Sequence, residues 1–597
     1  MWGGCFILSM TVLALSAAGA FMLSKSGTEH RILTPFRLFA AGLFLSVFFC
    51  MLPVVRHTQI GAADTLPALK LIGVSFYSAV QVFSFDADSE MIFDGIRQLG
   101  AYSSAGAGRL MTAYSVFFSL MHIVAPFMTF TLILSFFRGI SAWLRYFFSL
   151  PRDTYYFSAL NEEAVTLAED LHKNHPEARL VFAGAGKPEE AGRQKLMSRA
   201  GRLKAYCLGG ELPAFHFKPH RRKDQVLLFM IGENEEENVS GAAALIRRFK
   251  NRDNTSLYVF ADSPSGRLLL AREDPGRLKL RRIGVVREFL DRRLYEKGVR
   301  LYETACEEED GRRRISVLIA GLGAYGTELL KALSWFCQMD GYTLSIDAFD
   351  ADPCAADRLA AQVPELLAEE CQGLHRAGTA DYDIRVHAGC APGTKGFADA
   401  VARLGPITFA FADLGSDEAN IEGALTLRML FERLGMKPIL QTIVEDGEKE
   451  KALAGAVNFR GQAYGIGTVG SLPSRYCEAD ILHSELEKKA LEVHRRYGGS
   501  EESFWRYEYN YRSSAASAIH AHLRQQLGRE QGEEEIARQE HARWMAYVRS
   551  EGYVYSGSSD PASRNDLGRL HPDLVPYEAL SGQEKEKDKR TAGAISD

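Results

Sequence analysis

Three apolar runs constrain what this chain can become. Cys5 to Ser24 and Leu110 to Phe137 carry no Asp, Glu, Lys or Arg, and Phe36 to Val55 carries only Arg37, at its start. Each is as long as the roughly 18–20 residues that a helix needs to cross a bilayer. A cleaved leader would need basic residues ahead of the first run, and Met1 to Gly4 supplies none. A transmembrane domain is therefore expected over residues 1–150, with three spans at about 5–24, 36–55 and 110–137.

Basic residues set the orientation. Lys25, Arg31 and Arg37 lie in the first short loop, and Arg138, Arg145 and Arg152 follow the third run. Both sets are expected on the cytoplasmic side. The Arg56–Arg109 loop holds Asp64, Asp86, Asp88, Glu90 and Asp94 and is expected outside, with the N-terminus. The bulk of the chain, from about residue 150, is then cytoplasmic, and the protein is multi-pass in the inner (plasma) membrane. Leu66 to Phe85 is of intermediate hydrophobicity: re-entrant, a fourth span, or an amphipathic helix on the outer face. The last is favoured.

Beyond residue 150 the pattern becomes strand–helix alternation, the signature of α/β lobes with parallel sheets. Tyr155–Leu160, Arg179–Gly184, Gln225–Ile231 and Ser256–Ala261 read as strands, and Glu162–His172 and Glu237–Lys250 as helices. A second lobe opens on the strand Val317–Ala320. Gly321, Gly323 and Gly326 follow in the spacing G-x-G-x-x-G, then a helix from Thr327 to about Cys337 and a strand Tyr342–Phe349 ending at Asp350. The glycines suit a tight turn, close approach of a pyrophosphate, and close helix–strand packing. Helix N-terminal N–H groups suit phosphates. Gly321, Gly323, Ala324, Tyr325 and Gly326 are thus cofactor-binding candidates, with Asp350 for ribose hydroxyls; Asp347 and Asp352 are rivals. Tyr382–Ala388, Ile407–Asp413 and Pro438–Val444 continue the sheet. Asp417, with Asn420, stands at a strand-to-helix junction, edging the site or capping the helix.

The lobes look like siblings. Phe157–Leu171 aligns without gaps on Ile319–Leu333, and IGENEEENV (Ile231–Val239) resembles LGSDEANI (Leu414–Ile421). In the first copy Ala159, Asn161 and Ala164 replace the glycines, and Glu162 and Glu163 occupy the phosphate turn. That copy is expected to keep the fold and to have lost the nucleotide. Lys218 to Lys223 is a basic run, read as a solvated loop.

On the glycine turn and the GSDEANI segment, the lobes resemble the Trk-type, or regulator-of-potassium-conductance, nucleotide-binding lobes found below membrane channels and transporters. The resemblance implies tandem Rossmann-like, doubly wound lobes at 151–302 and 313–480. It also implies NAD or another adenine nucleotide as a regulatory cofactor. A helical connector (481–530) follows, with a charged helix His483–Tyr497, an aromatic stretch Trp505–Tyr511 and a helix Ser514–Leu527.

The last segment, 531–597, carries Glu540-His541, Arg543-Trp544, Gly552-Tyr553, Tyr555, His571-Pro572 and Leu574 to Tyr577. It resembles the RyR domain of ryanodine receptors, a small, mostly α module also present singly in bacterial proteins. The resemblance implies sensing of nucleotide-derived ligands, often in immunity-like systems. Trp544, Tyr553, Tyr555 and Tyr577 suit an aromatic box for a base, with Arg543 as its phosphate partner. Glu540, His541, His571 and Pro576 complete the candidate set. The competing assignment makes Trp544, Tyr577 and His541 core.

Composition excludes other classes. Net charge is −5, so no basic field recruits nucleic acid. Nine cysteines lack C-x-x-C spacing, which argues for free thiols and against zinc. No G-x-S-x-G, H-E-x-x-H or complete Walker loop appears, so catalysis is not expected. The expected function is a ligand-gated, channel-like membrane effector. Its cytoplasmic part senses a small nucleotide signal, and three spans per chain require a homo-oligomer in the lipid bilayer. An anti-phage role follows from resemblance alone. The alternatives are a membrane-anchored NAD(P)-dependent oxidoreductase and a regulatory subunit of a potassium transporter.

Overall fold

The computed structural model describes every residue except 1, 26–32, 62–65, 85, 87–88, 102–107, 137, 186–190, 219–220, 222, 369–381, 483–484, 529–530 and 597. Arg31, Asp64, Phe85, Asp88, Phe137, His220, Arg222 and His483 of the sequence expectations lie outside the described residues. The chain forms two units, Met1–Ser149 and Leu150–Asp597.

The first unit is helical: α1 (Trp2–Lys25), α2 (Leu33–Thr58), α3 (Pro67–Ser84), α4 (Ser89–Ala101), α5 (Gly108–Phe136) and α6 (Arg138–Phe148). Among the described residues, three helices are long and apolar enough to cross a membrane, with windows Gly3–Ala20, Leu38–Thr58 and Met111–Thr131. Polar and small residues knit α1 to α2. Ser9 and Ser46 hydroxyls lie 2.6 Å apart, and a Cβ on Gly42 would fall 2.2 Å from the Ser16 side chain, so that side chain rests directly on the α2 backbone. Leu43, Val47, Val54, Tyr114 and Phe118 form the core of this unit.

The second unit opens with β1 (Thr154–Phe157), α7 (Glu162–Asn174), β2 (Arg179–Phe182), α8 (Ala191–Arg202), β3 (Tyr206–Cys207), β4 (Val226–Met230), α9 (Glu235–Phe249), β5 (Thr255–Phe260), α10 (Pro264–Ala271), β6 (Lys279–Ile283), α11 (Val285–Lys297) and α12 (Val299–Glu303). Next come β7 (Cys306–Glu307), β8 (Arg313–Ala320), α13 (Ala324–Phe336), β9 (Tyr342–Asp350), α14 (Ala355–Gln362), α15 (Pro364–Leu367), β10 (Tyr382–Ala388), α16 (Lys395–Ala402), β11 (Phe409–Ala412), α17 (Asp417–Arg433), β12 (Ile439–Ile443), α18 (Gly447–Ala454) and β13 (Ile466–Val469). Last come α19 (Leu472–Arg475), α20 (Glu478–Ile481), α21 (Glu485–Arg496), α22 (Glu501–Arg506), α23 (Glu508–Gln526), α24 (Glu533–Ser550), β14 (Val554–Tyr555), β15 (Leu570–His571) and α25 (Gly582–Ser596).

The two larger sheets share one order. The first runs β3-β2-β1-β4-β5-β6 and the second β10-β9-β8-β11-β12-β13, with β7 antiparallel on β8 and all other pairs parallel. Strands such as Thr154–Phe157 and Phe409–Ala412 are buried throughout, as strands covered on both faces must be. β3, β6, β7 and β13 escaped the sequence analysis. They are short, or lie at the edge of the alternating pattern.

Each lobe lends its last crossover to the other. α11, which follows β6, packs on α13, with Phe289 and Tyr325 rings 6.2 Å apart. α19 and α20, which follow β13, pack on α7. There Glu478 accepts from Asn174 Nδ2 at 2.7 Å and lies 2.6 Å from His175 Nε2, while its N–H donates to Asp170 at 2.8 Å. The C-terminal segment is not an independent bead. Met545, Tyr547, Val548 and Leu574 belong to the same core as α11 and α13, and Trp335 meets Tyr547 at 6.2 Å.

Candidate functional site

The glycine turn stands where the sequence puts it, and its donors are already engaged. Gly323 is the N-cap of α13. Tyr325 and Gly326 N–H groups donate to one oxygen of Asp413 at 2.9 and 3.0 Å. Asp413 follows β11, and its negative charge suits the helix N-terminus. Burial pushes its carboxyl above the usual range, partly offset by those two N–H bonds. A Cβ on Gly323 would lie 2.6 Å from the Asp413 carboxylate, and one on Gly321 1.9 Å from the Asp413 carbonyl. The glycines therefore admit Asp413 to the position a pyrophosphate would occupy. Leu322 N–H donates to Asp350 at 2.7 Å, so Asp350 holds the turn instead of standing free for a ribose. Its rivals are engaged too: Asp347 lies 2.8 Å from His387 Nε2, and Asp352 pairs with Arg358.

The sibling turn is closed by the same stitch from the other side. Asn161, the N-cap of α7, accepts from Ala164 N–H at 2.9 Å and donates to Ile231 O, beyond β4, at 2.9 Å. Glu162 pairs with Arg199. The expected contrast between a bare later turn and a filled earlier one is corrected: both are bridged to the neighbouring strand by a side chain. Asn238 and Asn420 also play matched parts, accepting from Gly232 N–H at 2.7 Å and Leu414 N–H at 2.5 Å. Asp417 fastens the β12–α18 link, accepting from Glu445 and Asp446 N–H groups at 2.8 and 3.1 Å, while Ser416 caps α17. Tyr325 turns its hydroxyl to Arg475 at 2.8 Å, and burial pushes its pKa up to about 12.

The C-terminal residues divide in two. Glu540 and Arg543 are each 1% exposed and pair at 2.9 Å, with Ser517 donating to Glu540 at 2.8 Å. Arg543 is a core ion pair, so its assignment as a phosphate partner is corrected. His541 is also core: its ring nitrogens lie 2.8 Å from Val575 O and 3.2 Å from Asp588. Trp544, His571 and Tyr553 do form an aromatic group. Trp544 meets His571 at 4.9 Å and His541 at 5.6 Å, and Tyr553 meets His571 at 6.2 Å. Tyr577 is buried 6.0 Å from His541, beside Pro576, which precedes its short 3-10 turn. Tyr555 points elsewhere. Its hydroxyl lies 3.4 Å from Ser559 Oγ, and its N–H donates to Glu365 of α15 at 2.5 Å.

A cavity of about 890 Å³ is walled by both lobes, by α11 and α23 and by the C-terminal part. The first lobe contributes Asp262, Arg267 and Arg282; α11 contributes Arg287 and Asp291. The second lobe contributes Gly323, Thr327, Glu328 and Lys331, and the C-terminal part Glu551, Val554 and Arg569, with Arg512 from α23. The volume is that of a small-molecule site. Six cations line it against four carboxylates, so its field is positive. The cations are held in networks. Glu551 pairs with Arg287 and lies 3.6 Å from Arg267. Glu508 pairs with Arg282 and, at 2.6 Å, with Arg512. Arg569 donates to Glu551 O at 2.6 Å. Burial pushes Asp291 up to about 7, with Arg287 opposing it. The sequence analysis missed these residues. The signal was the density of arginine from Arg281 to Arg293.

The chain matches no protein-family model, and no curated protein matches it.

Proposed function

We propose that the protein is a membrane effector whose cytoplasmic unit senses a small anionic, nucleotide-derived ligand in the central cavity. The cavity itself carries this proposal: three parts of the unit meet there around a positive field. The shared strand order is that of doubly wound, Rossmann-like lobes, and with the exchanged crossovers it supports kinship with tandem regulator-of-potassium-conductance lobes. The aromatic group around His571 supports the RyR-like assignment of the C-terminal part. Since Asp413 takes the turn's N–H groups, the ligand's phosphates meet the guanidinium groups instead. An arginine fork suits phosphate geometry.

The ligand works by differential affinity. Arg267 and Arg287 lie on α10 and α11, and Glu551 follows α24. A phosphate competing with Glu551 for those arginines loosens the C-terminal part from the lobes and shifts the unit between two packings. The transmembrane domain, assembled from several copies in the inner membrane, then opens an ion path. Mass spectrometry of small molecules released from the purified protein tests the sensing step. A phosphate-bearing compound that rebinds and raises thermal stability is expected. An empty protein that no nucleotide stabilises would overturn it.

A further inference from the structure

The direction of α3 follows from chain length. The Phe44 ring of α2 lies 5.4 Å from Phe76 and 5.5 Å from Phe83, so α3 is level with Phe44 near Ala79 and Val80, midway between those rings. At about 1.5 Å per residue, Phe44 is about 21 Å from the end of α2, and that point of α3 is about 19 Å from its own start. Parallel helices would require the link from Thr58 to Pro67 to bridge about 40 Å, and it reaches at most about 32 Å. α3 therefore runs back along α2, over the same depth as the window Leu38–Thr58.

α4 returns. A Cβ on Gly95 would lie 2.7 Å from Val54 and 3.1 Å from Thr58, near the end of α2. An α4 running with α3 would set Ser89 about 30 Å from Ser84, and that link spans at most about 18 Å. α4 thus climbs toward the Thr58 end.

The two arms differ in chemistry. α3 buries Ser75, Ser78, Ala79 and Val82. It exposes Leu69, Ile72, Phe76, Tyr77 and Val80, with Lys70 in its first turn, at the Thr58 end. α4 buries Ile92, Ile96 and Leu99 and exposes Glu90, Asp94, Arg97 and Gln98. Apolar side chains at that depth are stable against acyl chains, whereas charged ones face water or protein.

We propose that α3 and α4 form a re-entrant hairpin, entering and leaving the bilayer at the Thr58 end, with α3 against lipid acyl chains and the polar face of α4 lining a water-filled vestibule. This replaces the surface helix expected from the sequence. It rests on the membrane placement of α1, α2 and α5, and not on any ligand.

Spin labels on single cysteines in the full chain, freed of its other cysteines and reconstituted in liposomes, test it. Positions Ile72, Phe76 and Val80 should be relaxed strongly by oxygen and weakly by a water-soluble nickel chelate, matching controls at Leu45 of α2 and Leu120 of α5. Asp94 and Gln98 should show the reverse, by several-fold. Nickel access at the α3 positions with shielded controls overturns the hairpin. Lipid-like shielding at Asp94 overturns the vestibule. Nickel access at the controls removes the membrane placement itself. Should the cysteine-free chain misfold, brominated-lipid quenching of Phe76→Trp reads the same depth. Strongest quenching by bromines deep in the acyl chain supports the hairpin, and strongest quenching near the headgroup refutes it.

Discussion

Glu551 joins the C-terminal part to the lobes, and Glu551→Gln isolates its charge. Burial by itself would raise its carboxyl, but Arg287, Arg512 and Arg267 more than reverse this and hold it at about 2, against an ordinary 4.5. A displacement of that size is about 3 kcal/mol of folding stability. The sign follows from the depressed value. The contribution is complete above pH about 4.5 and is lost as pH falls through about 2. Removing one partner of a buried ion pair costs about 3–5 kcal/mol, which agrees. Urea denaturation of both proteins at a series of pH values, followed by tryptophan fluorescence, gives the difference directly. It should be about 3 kcal/mol at pH 7 and shrink below pH about 4.5. The same variant should bind phosphate compounds more tightly, because Glu551 no longer competes for Arg267 and Arg287. A difference under about 1 kcal/mol, or one unchanged with pH, would refute the ion-pair argument.

Further outcomes follow. Gly326→Ala should destabilise the second lobe whether or not a ligand binds, because the added Cβ would meet Gly321 O at 2.0 Å; a proton-exchange profile of α13 reads the loss. Arg543→Met leaves Glu540 buried without its partner and should cost about 3–5 kcal/mol by urea denaturation; a variant of native stability that only loses ligand would restore Arg543 to the binding site. Burial holds His571 down to about 4 and His520 to about 3. Their neutral forms favour the fold, so stability should fall as pH drops from about 6.5 toward 4, and His571→Gln should flatten part of that decline.

Much of the frame was legible in the sequence. The apolar runs gave the three candidate spans, because length without charge has few other uses. The ungapped match of the two turns was sound: Asn161 and Gly323, aligned by sequence, are both helix N-caps. Asn238 and Asn420 recur at one helical position because each ties down the backbone after a strand. What failed was the inference from bare glycines to an open phosphate seat. Asp413 reaches the turn from another strand, and periodicity carries no information about such a partner. The sole hint was an acid directly after an apolar strand. Arg543 was misjudged for a similar reason, since a charged residue on a helix reads alike whether its partner is a ligand or a buried carboxylate; His541 lies in the core, as the competing assignment had it. The exchanged crossovers and the cavity they help to wall arise from contacts between distant segments.

Ion flux from liposomes carrying the purified protein tests the central claim most directly. The account predicts that vesicles stay tight until the phosphate-bearing compound recovered from the protein is added. It also predicts that Arg267→Gln, which leaves the buried Arg287–Glu551 pair intact, weakens that response several-fold while the protein remains folded in the membrane. Flux that ignores the compound, or that is unchanged by loss of the Arg267 charge, would contradict it.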